Sequence, residues 1–192
     1  EQDHTRARDY LSRAITLGTK SDYTAQAYLL RATSALERGD YASAGADASK
    51  SIATGSAPAL AYYVEGYAHY NQKQYSSAYR SFEAFTSRAG QDESLRRADA
   101  LARMGDCLLI QKKSAEALAL YRRADEGMPS GSDEALYRVA TIYGRWGQYP
   151  KQIETLDRII KTHPQSTHLP EVLYDKGRAL VLSKARTEQA TA

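Results

Sequence analysis

A lone cysteine, Cys107, leaves this 192-residue chain no partner for an internal disulfide and says little about redox compartment. Its place inside a helical apolar pattern fits a small buried filler rather than a reactive thiol. No apolar run approaches the ~18 residues of a membrane-spanning helix. Phenylalanine and tryptophan are scarce, at 2 and 1, against 15 tyrosines. Tyrosine rings can sit half-buried with a wet hydroxyl, which suits both packed interfaces and binding grooves. A surplus of one charge is also missing. The 26 basic and 23 acidic residues leave +3, too little for a nucleic-acid footprint, which gathers basic residues on one face. The arginine doublets Arg96-Arg97 and Arg122-Arg123 read as solvated helix faces.

The signatures of catalysis are missing too. The four histidines are His4 near the start, His69 in a helical pattern, and His163 and His168 flanking a turn. No cysteine or carboxylate completes a recognisable ligand set around them. No phosphate-cradling glycine loop or nucleophile motif is present. The reading is a non-enzymatic chain with no catalytic residue, no metal and no cofactor. The sequence starts at Glu1 rather than Met and shows no signal peptide, which reads as an excised or processed piece.

What the chain does have is self-similarity. The segments 28–32, 62–66, 101–105, 136–140 and 173–177 align on a small residue, Ala32, Gly66, Gly105, Ala140 and Gly177, at intervals of 34, 39, 35 and 37. Periods in this range mark stacked units that each bury an apolar face only against their neighbours. Every unit reads as two amphipathic helices. Tyr28, Arg31, Ala32 and Ala35 share a face, Gly39-Asp40 breaks the helix, and Tyr41, Ala44, Ala48 and Ile52 form the next face. Turns recur near Lys73-Gln74, Lys112-Lys113 and Gly147-Gln148, and Pro150 falls in a first helical turn, where a missing N–H matters least. Ala44, Ala78 and Ala117 each follow a small residue by 12 positions. They predict flat contact points that let paired helices approach closely.

The small residues, the alanines at 44, 78 and 117, the tyrosines at 41, 75 and 149, and the closing prolines Pro129 and Pro164 together resemble the tetratricopeptide repeat family over residues 5–184. The resemblance implies an all-α fold: a right-handed superhelix of antiparallel helix pairs, with about four repeats at 22–55, 56–90, 95–130 and 132–166. Half-repeats flank them at 5–19 and 168–184, and 185–192 is expected as a flexible tail. Both ends stop in mid-repeat, which suggests part of a longer array or ends covered by a partner. Two residues depart from the pattern. Gln152 stands where the family has Ala, expected to loosen the fourth pair, and Ser114 replaces a tyrosine. The 39-residue unit carries its insertion at 89–94, as a loop or an early extra turn.

In that family the first helix of each repeat lines a concave wall. Carrying over its groove-facing offsets gives Leu29, Thr33 and Glu37, then Tyr63, Tyr67, Tyr70 and Asn71, then Asp106, Tyr137, Arg145, Tyr174 and Arg178. The tyrosines among them form a lane of anchors for a bound chain. Tyr28, Tyr41, Tyr62, Tyr75, Tyr121, Tyr143 and Tyr149 are assigned to packing between helices. The Lys-Asn carboxylate clamp of some family members is not matched, because Leu29, Thr33, Tyr63 and Tyr67 occupy its sites.

The implied function is a non-enzymatic scaffold for a protein or peptide partner, with no nucleic acid and with self-association through the uncapped ends as a further possibility. Residues 160–166 and 173–177 are similar to repeats in bacterial envelope lipoproteins. That implies assembly or secretion work in the periplasm or at the outer membrane, with a cytoplasmic location left open. The alternative is the helical arm of a larger enzyme, such as a cell-wall-acting one, whose catalytic domain lies elsewhere.

Overall fold

Left-handed turn residues recur two positions before a helix start, at Gly39 (φ 75), Lys73 (φ 61), Lys112 (φ 63) and Gly147 (φ 66). In each turn the next N–H donates to the carbonyl five residues back at 2.9 Å, from Asp40 to Ala35, Gln74 to His69, Lys113 to Leu108 and Gln148 to Tyr143. This closure satisfies an orphan carbonyl at the end of the first helix and reverses the chain. Two of the four positions are lysine, so the turn geometry is imposed by the packing of the pair as well as by glycine.

The computed structural model describes residues 2–18, 22–127 and 132–191; Pro129, expected to close a repeat, lies outside them. Among these residues the chain forms ten α-helices: α1 (Gln2–Leu17), α2 (Asp22–Glu37), α3 (Tyr41–Ala53), α4 (Ala59–Asn71), α5 (Tyr75–Arg88), α6 (Ser94–Ile110), α7 (Ser114–Glu126), α8 (Asp133–Arg145), α9 (Tyr149–Thr162) and α10 (Leu169–Thr191). The insertion at 89–94 holds a 3-10 turn, Gln91–Glu93. Helix α10 runs from Leu169 to Thr191. No glycine or proline interrupts residues 178–191, and their Ala, Leu, Lys, Arg, Glu and Gln favour helix.

Two compact units divide the chain, 1–93 and 94–192. In the first, α2 packs on α3 and α4 on α5, with α1 against α2 and α3 against α4. In the second, α6 packs on α7 and α8 on α9, with α7 against α8 and α9 against α10. Sequential antiparallel pairing is thus the organising rule within each unit.

The notches have a measurable cause. A Cβ placed on Gly66 would meet the Phe82 ring at 2.7 Å, and one on Gly105 would meet the Tyr121 ring at 2.8 Å. Both rings are fully buried, as are Ala44, Ala78 and Ala117. Gln152 is 2% exposed and lies over Gly144, where a Cβ would come within 2.6 Å of its amide. The fourth pair therefore exchanges sizes: a long side chain on α9 fills room left by a glycine on α8. At Gly177 a Cβ would meet nothing within 4 Å.

Polar ties reinforce the pairs. Arg31 donates through Nε and Nη2 to the buried Asp47, both at 2.6 Å, joining α2 to α3. Arg103 bridges Asp106 on its own helix to Glu134 at the start of α8, and Tyr121 donates to Asp106 at 2.7 Å. Bidentate guanidinium–carboxylate pairs fix geometry as well as adding energy.

Candidate functional site

The expected tyrosines separate into two kinds. In the first unit, Tyr63 and Tyr67 are half-buried, with ring centroids 5.0 Å apart and edge-on. Tyr63 also sits 5.0 Å from Phe85, and Tyr67 lies 5.3 Å from Phe82. These rings continue the core outward to the surface. Tyr70 pairs edge-on with Tyr75 at 5.8 Å. Thr33 donates to the Leu29 carbonyl and Asn71 to the Tyr67 carbonyl, while Glu37 is exposed.

Two expected groove residues are corrected. Leu29 is buried with Ala32, Ala48, Ala61 and Val64, so it offers no surface to a partner. Asp106 is buried too, and its carboxylate is consumed by Arg103 and Tyr121. A buried carboxylate must be paired, and here the pairing joins helices.

In the second unit the structure brings Tyr137 and Tyr174 together. With Pro170, Glu171 and Asp175 they line one cavity of about 440 Å³ between α8 and α10. Leu136, Ala140, Leu156, Ile159 and Val172 form the core that holds these two helices in place. Tyr137 donates its hydroxyl to Asp175 at 3.1 Å, and its ring stacks on His168 at 5.5 Å with planes 11° apart. Burial, and then the Asp175 charge, push the Tyr137 phenol above its ordinary value, so the hydroxyl remains a donor. Tyr174 is 72% exposed. Arg178 reaches Asp175 at 3.3 Å, and Arg145 is exposed on α8.

The cavity joins exposed aromatic faces to carboxylates. Such a surface can take a cationic side chain over a ring while a carboxylate accepts its N–H. Sequence reasoning found both tyrosines but missed Glu171, Asp175, Pro170 and His168. The signal was available for two of them: Glu171, Tyr174, Asp175 and Arg178 recur at i, i+3, i+4 and i+7, one face of a helix. The stacking of His168 depends on a turn whose path no local pattern gives.

Elsewhere, Cys107 is buried and its thiol is pushed up to about 12, by burial first and then by Asp106. Among the described residues no group of three His, Cys, Asp or Glu could hold a metal ion, and no helix is long and apolar enough to cross a membrane.

Similarity to known proteins follows the same architecture. A tetratricopeptide repeat model matches residues 63–132 and a second matches 134–166, together just over half of the chain. YrrB, described as a TPR protein with an unusual peptide-binding site, superposes with a TM-score of 0.74 at 20% identity, over 92% of this chain and 84% of that one. MamA superposes with a TM-score of 0.75 at 14% identity, over 85% and 91% of the two chains. The C-terminal part of a TPR repeat-containing protein from Cytophaga hutchinsonii gives 0.76 at 16% identity, over 97% and 69%. At these identities the likeness is one of fold. No curated protein matches the chain. Repeat spacing, helix pairing, glycine notches and both family models agree, and the chain belongs to the tetratricopeptide repeat family.

Proposed function

We propose that the chain is a scaffold that binds a partner polypeptide, anchored at the cavity between α8 and α10. The observation that carries this reading is the convergence of Tyr137, Tyr174 and two carboxylates on one open cavity of about 440 Å³. A highly exposed tyrosine, Tyr174, beside the half-buried, hydrogen-bonded Tyr137 is a poor stabiliser of the fold and a good anchor for a ligand. The chemistry favours a segment that offers Arg or Lys next to an apolar or aromatic side chain. The family, and the peptide-binding site described for YrrB, support polypeptide as the ligand class.

Selection from a random peptide display library tests the proposal. Enriched peptides should carry a basic residue beside an aromatic or proline. Tyr174→Ala should weaken the selected peptide about ten-fold, close to 1.4 kcal/mol, with circular dichroism unchanged. Equal affinity for wild type, Tyr174→Ala and Asp175→Asn would overturn it. The envelope setting rests on residues 160–166 and 173–177 alone. Recovery of the native protein from the periplasmic or outer-membrane fraction is the expected outcome, and exclusive recovery from cytosol would exclude that setting.

A further inference from the structure

Repeated packing produces the same crevice twice, and the two copies carry different chemistry. One crevice, of about 300 Å³, lies along α4 and α5; the other, of about 380 Å³, lies along α8 and α9 with a contribution from α7. Residues at matching distances from the small residue, Gly66 or Ala140, wall both. Val139 replaces Glu65, Tyr143 replaces His69, Lys151 replaces Ser77 and Arg158 replaces Ala84. The shape therefore belongs to the repeat, and the charge belongs to the individual sequence.

In the first crevice Glu65 is occupied within the fold, accepting from Ser49 at 2.6 Å and Ser81 at 2.8 Å. The second has an apolar floor and cationic walls. Its buried Asp125 is neutralised by Arg158, which donates at 2.6 and 3.3 Å, and also accepts from the Ser132 N–H. Glu154 is exposed on α9. Two cations remain over one ring. The Arg122 guanidinium is 5.8 Å from the Tyr143 centroid and the Lys151 ammonium is 5.6 Å from it. Neither forms an ion pair with a carboxylate among the described residues. Arg122 also donates to the Tyr143 hydroxyl, which leaves that group's own proton to donate. Like charges gathered at one ring repel, and an anion between them relieves the repulsion.

On α8 the floor residues Leu136, Val139 and Tyr143 fall on the side roughly opposite Tyr137, Thr141 and Arg145, given 3.6 residues per turn. The crevice is thus separate from the tyrosine cavity. We infer that it is a second binding site, taking an anionic side chain of a partner polypeptide, carboxylate or phosphate, between Arg122, Lys151 and the Tyr143 hydroxyl. The apolar floor at Leu136 and Val139 receives the carbon atoms that carry the charged group.

Amide NMR titration of the full chain tests this with four probes: a hexaglutamate peptide, an alanine-glycine peptide with one phosphoserine, inorganic phosphate, and hexalysine as control. At least one acidic peptide should shift the amides around 122, 143 and 151, and hexalysine should not. Arg122→Gln and Lys151→Gln should each weaken that binding ten-fold or more with helicity intact. Tyr174→Ala should leave it unchanged, which separates this site from the one proposed above. The stronger of the two acidic peptides identifies the anionic group. Absence of these shifts, or undiminished affinity in both glutamine variants, would overturn the site. Inorganic phosphate binding as tightly as the peptides would overturn its assignment to a polypeptide.

Discussion

Gly105 and Gly177 occupy the same register position and face opposite circumstances. A methyl group at Gly105 would strike the Tyr121 ring, whereas at Gly177 it would enter open space. Gly105→Ala should therefore destabilise by about 1–3 kcal/mol through overpacking. Gly177→Ala should stabilise by about 0.5–1 kcal/mol through the intrinsic preference of helix for alanine. Urea unfolding of the two variants measures both, and shifts of the same sign would refute the steric account. The small residues were legible because glycine inside a helical pattern demands a packing reason. Leu29 and Asp106 were not, since family offsets say where a position points but not whether a neighbour covers it. Asp106 is covered by Arg103 on its own helix and by Tyr121, the latter a contact set by the approach of α7.

At the scale of elements, two helix starts follow from local chemistry. Asp40 caps α3 through the Ser43 N–H, and Ser132 caps α8 through the Ala135 N–H. The turn between α9 and α10 needed tertiary information. There Ser166 donates to Asp133 at 2.6 Å, tying the turn to the first residue of α8. Burial opposes ionisation of Asp133, but hydrogen bonds from Ser166 and the Glu134 N–H, with His163 and His168 nearby, outweigh it and hold the carboxyl below its ordinary 3.8. Because the folded value is depressed, this stabilisation is present at neutral pH and is lost as pH falls below 3.8 toward the folded value. Asp133→Asn should accordingly be less stable than wild type at pH 7, with the gap narrowing as pH falls below 3.8. Thermal midpoints across that range provide the check, and a gap independent of pH would contradict it. The α8–α9 pair teaches a similar lesson. Gln152 looked like a defect beside the family pattern, and only its contact with Gly144 accounts for it.

At the scale of the whole chain, the sequence divides into two compact units after the 3-10 turn Gln91–Glu93, where α6 starts at Ser94. Stability in repeat proteins is close to a sum of unit and nearest-neighbour terms. Residues 94–192 alone should thus remain helical, unfold cooperatively and keep Tyr174-dependent peptide binding. Circular dichroism and calorimetry of that fragment decide the matter, and a molten, non-cooperative fragment would show that the second unit requires the first. The repeat period made the succession of helix pairs readable from spacing, while the cationic walls of the crevice along α8 and α9 emerged only from the packed helices.

The recurring crevice has a consequence for how such a chain changes its tastes. Backbone spacing makes the socket and a few side chains dress it, so preference for charge is portable between repeats. Ser49→Arg, Glu65→Val, His69→Tyr and Ser77→Lys would rewrite the earlier socket in the image of the later one, while Gly66, Ala78 and Phe82, which carry the mechanical contact, stay untouched. Specificity and architecture here reside in different letters of the same repeat, and each can drift without dragging the other along.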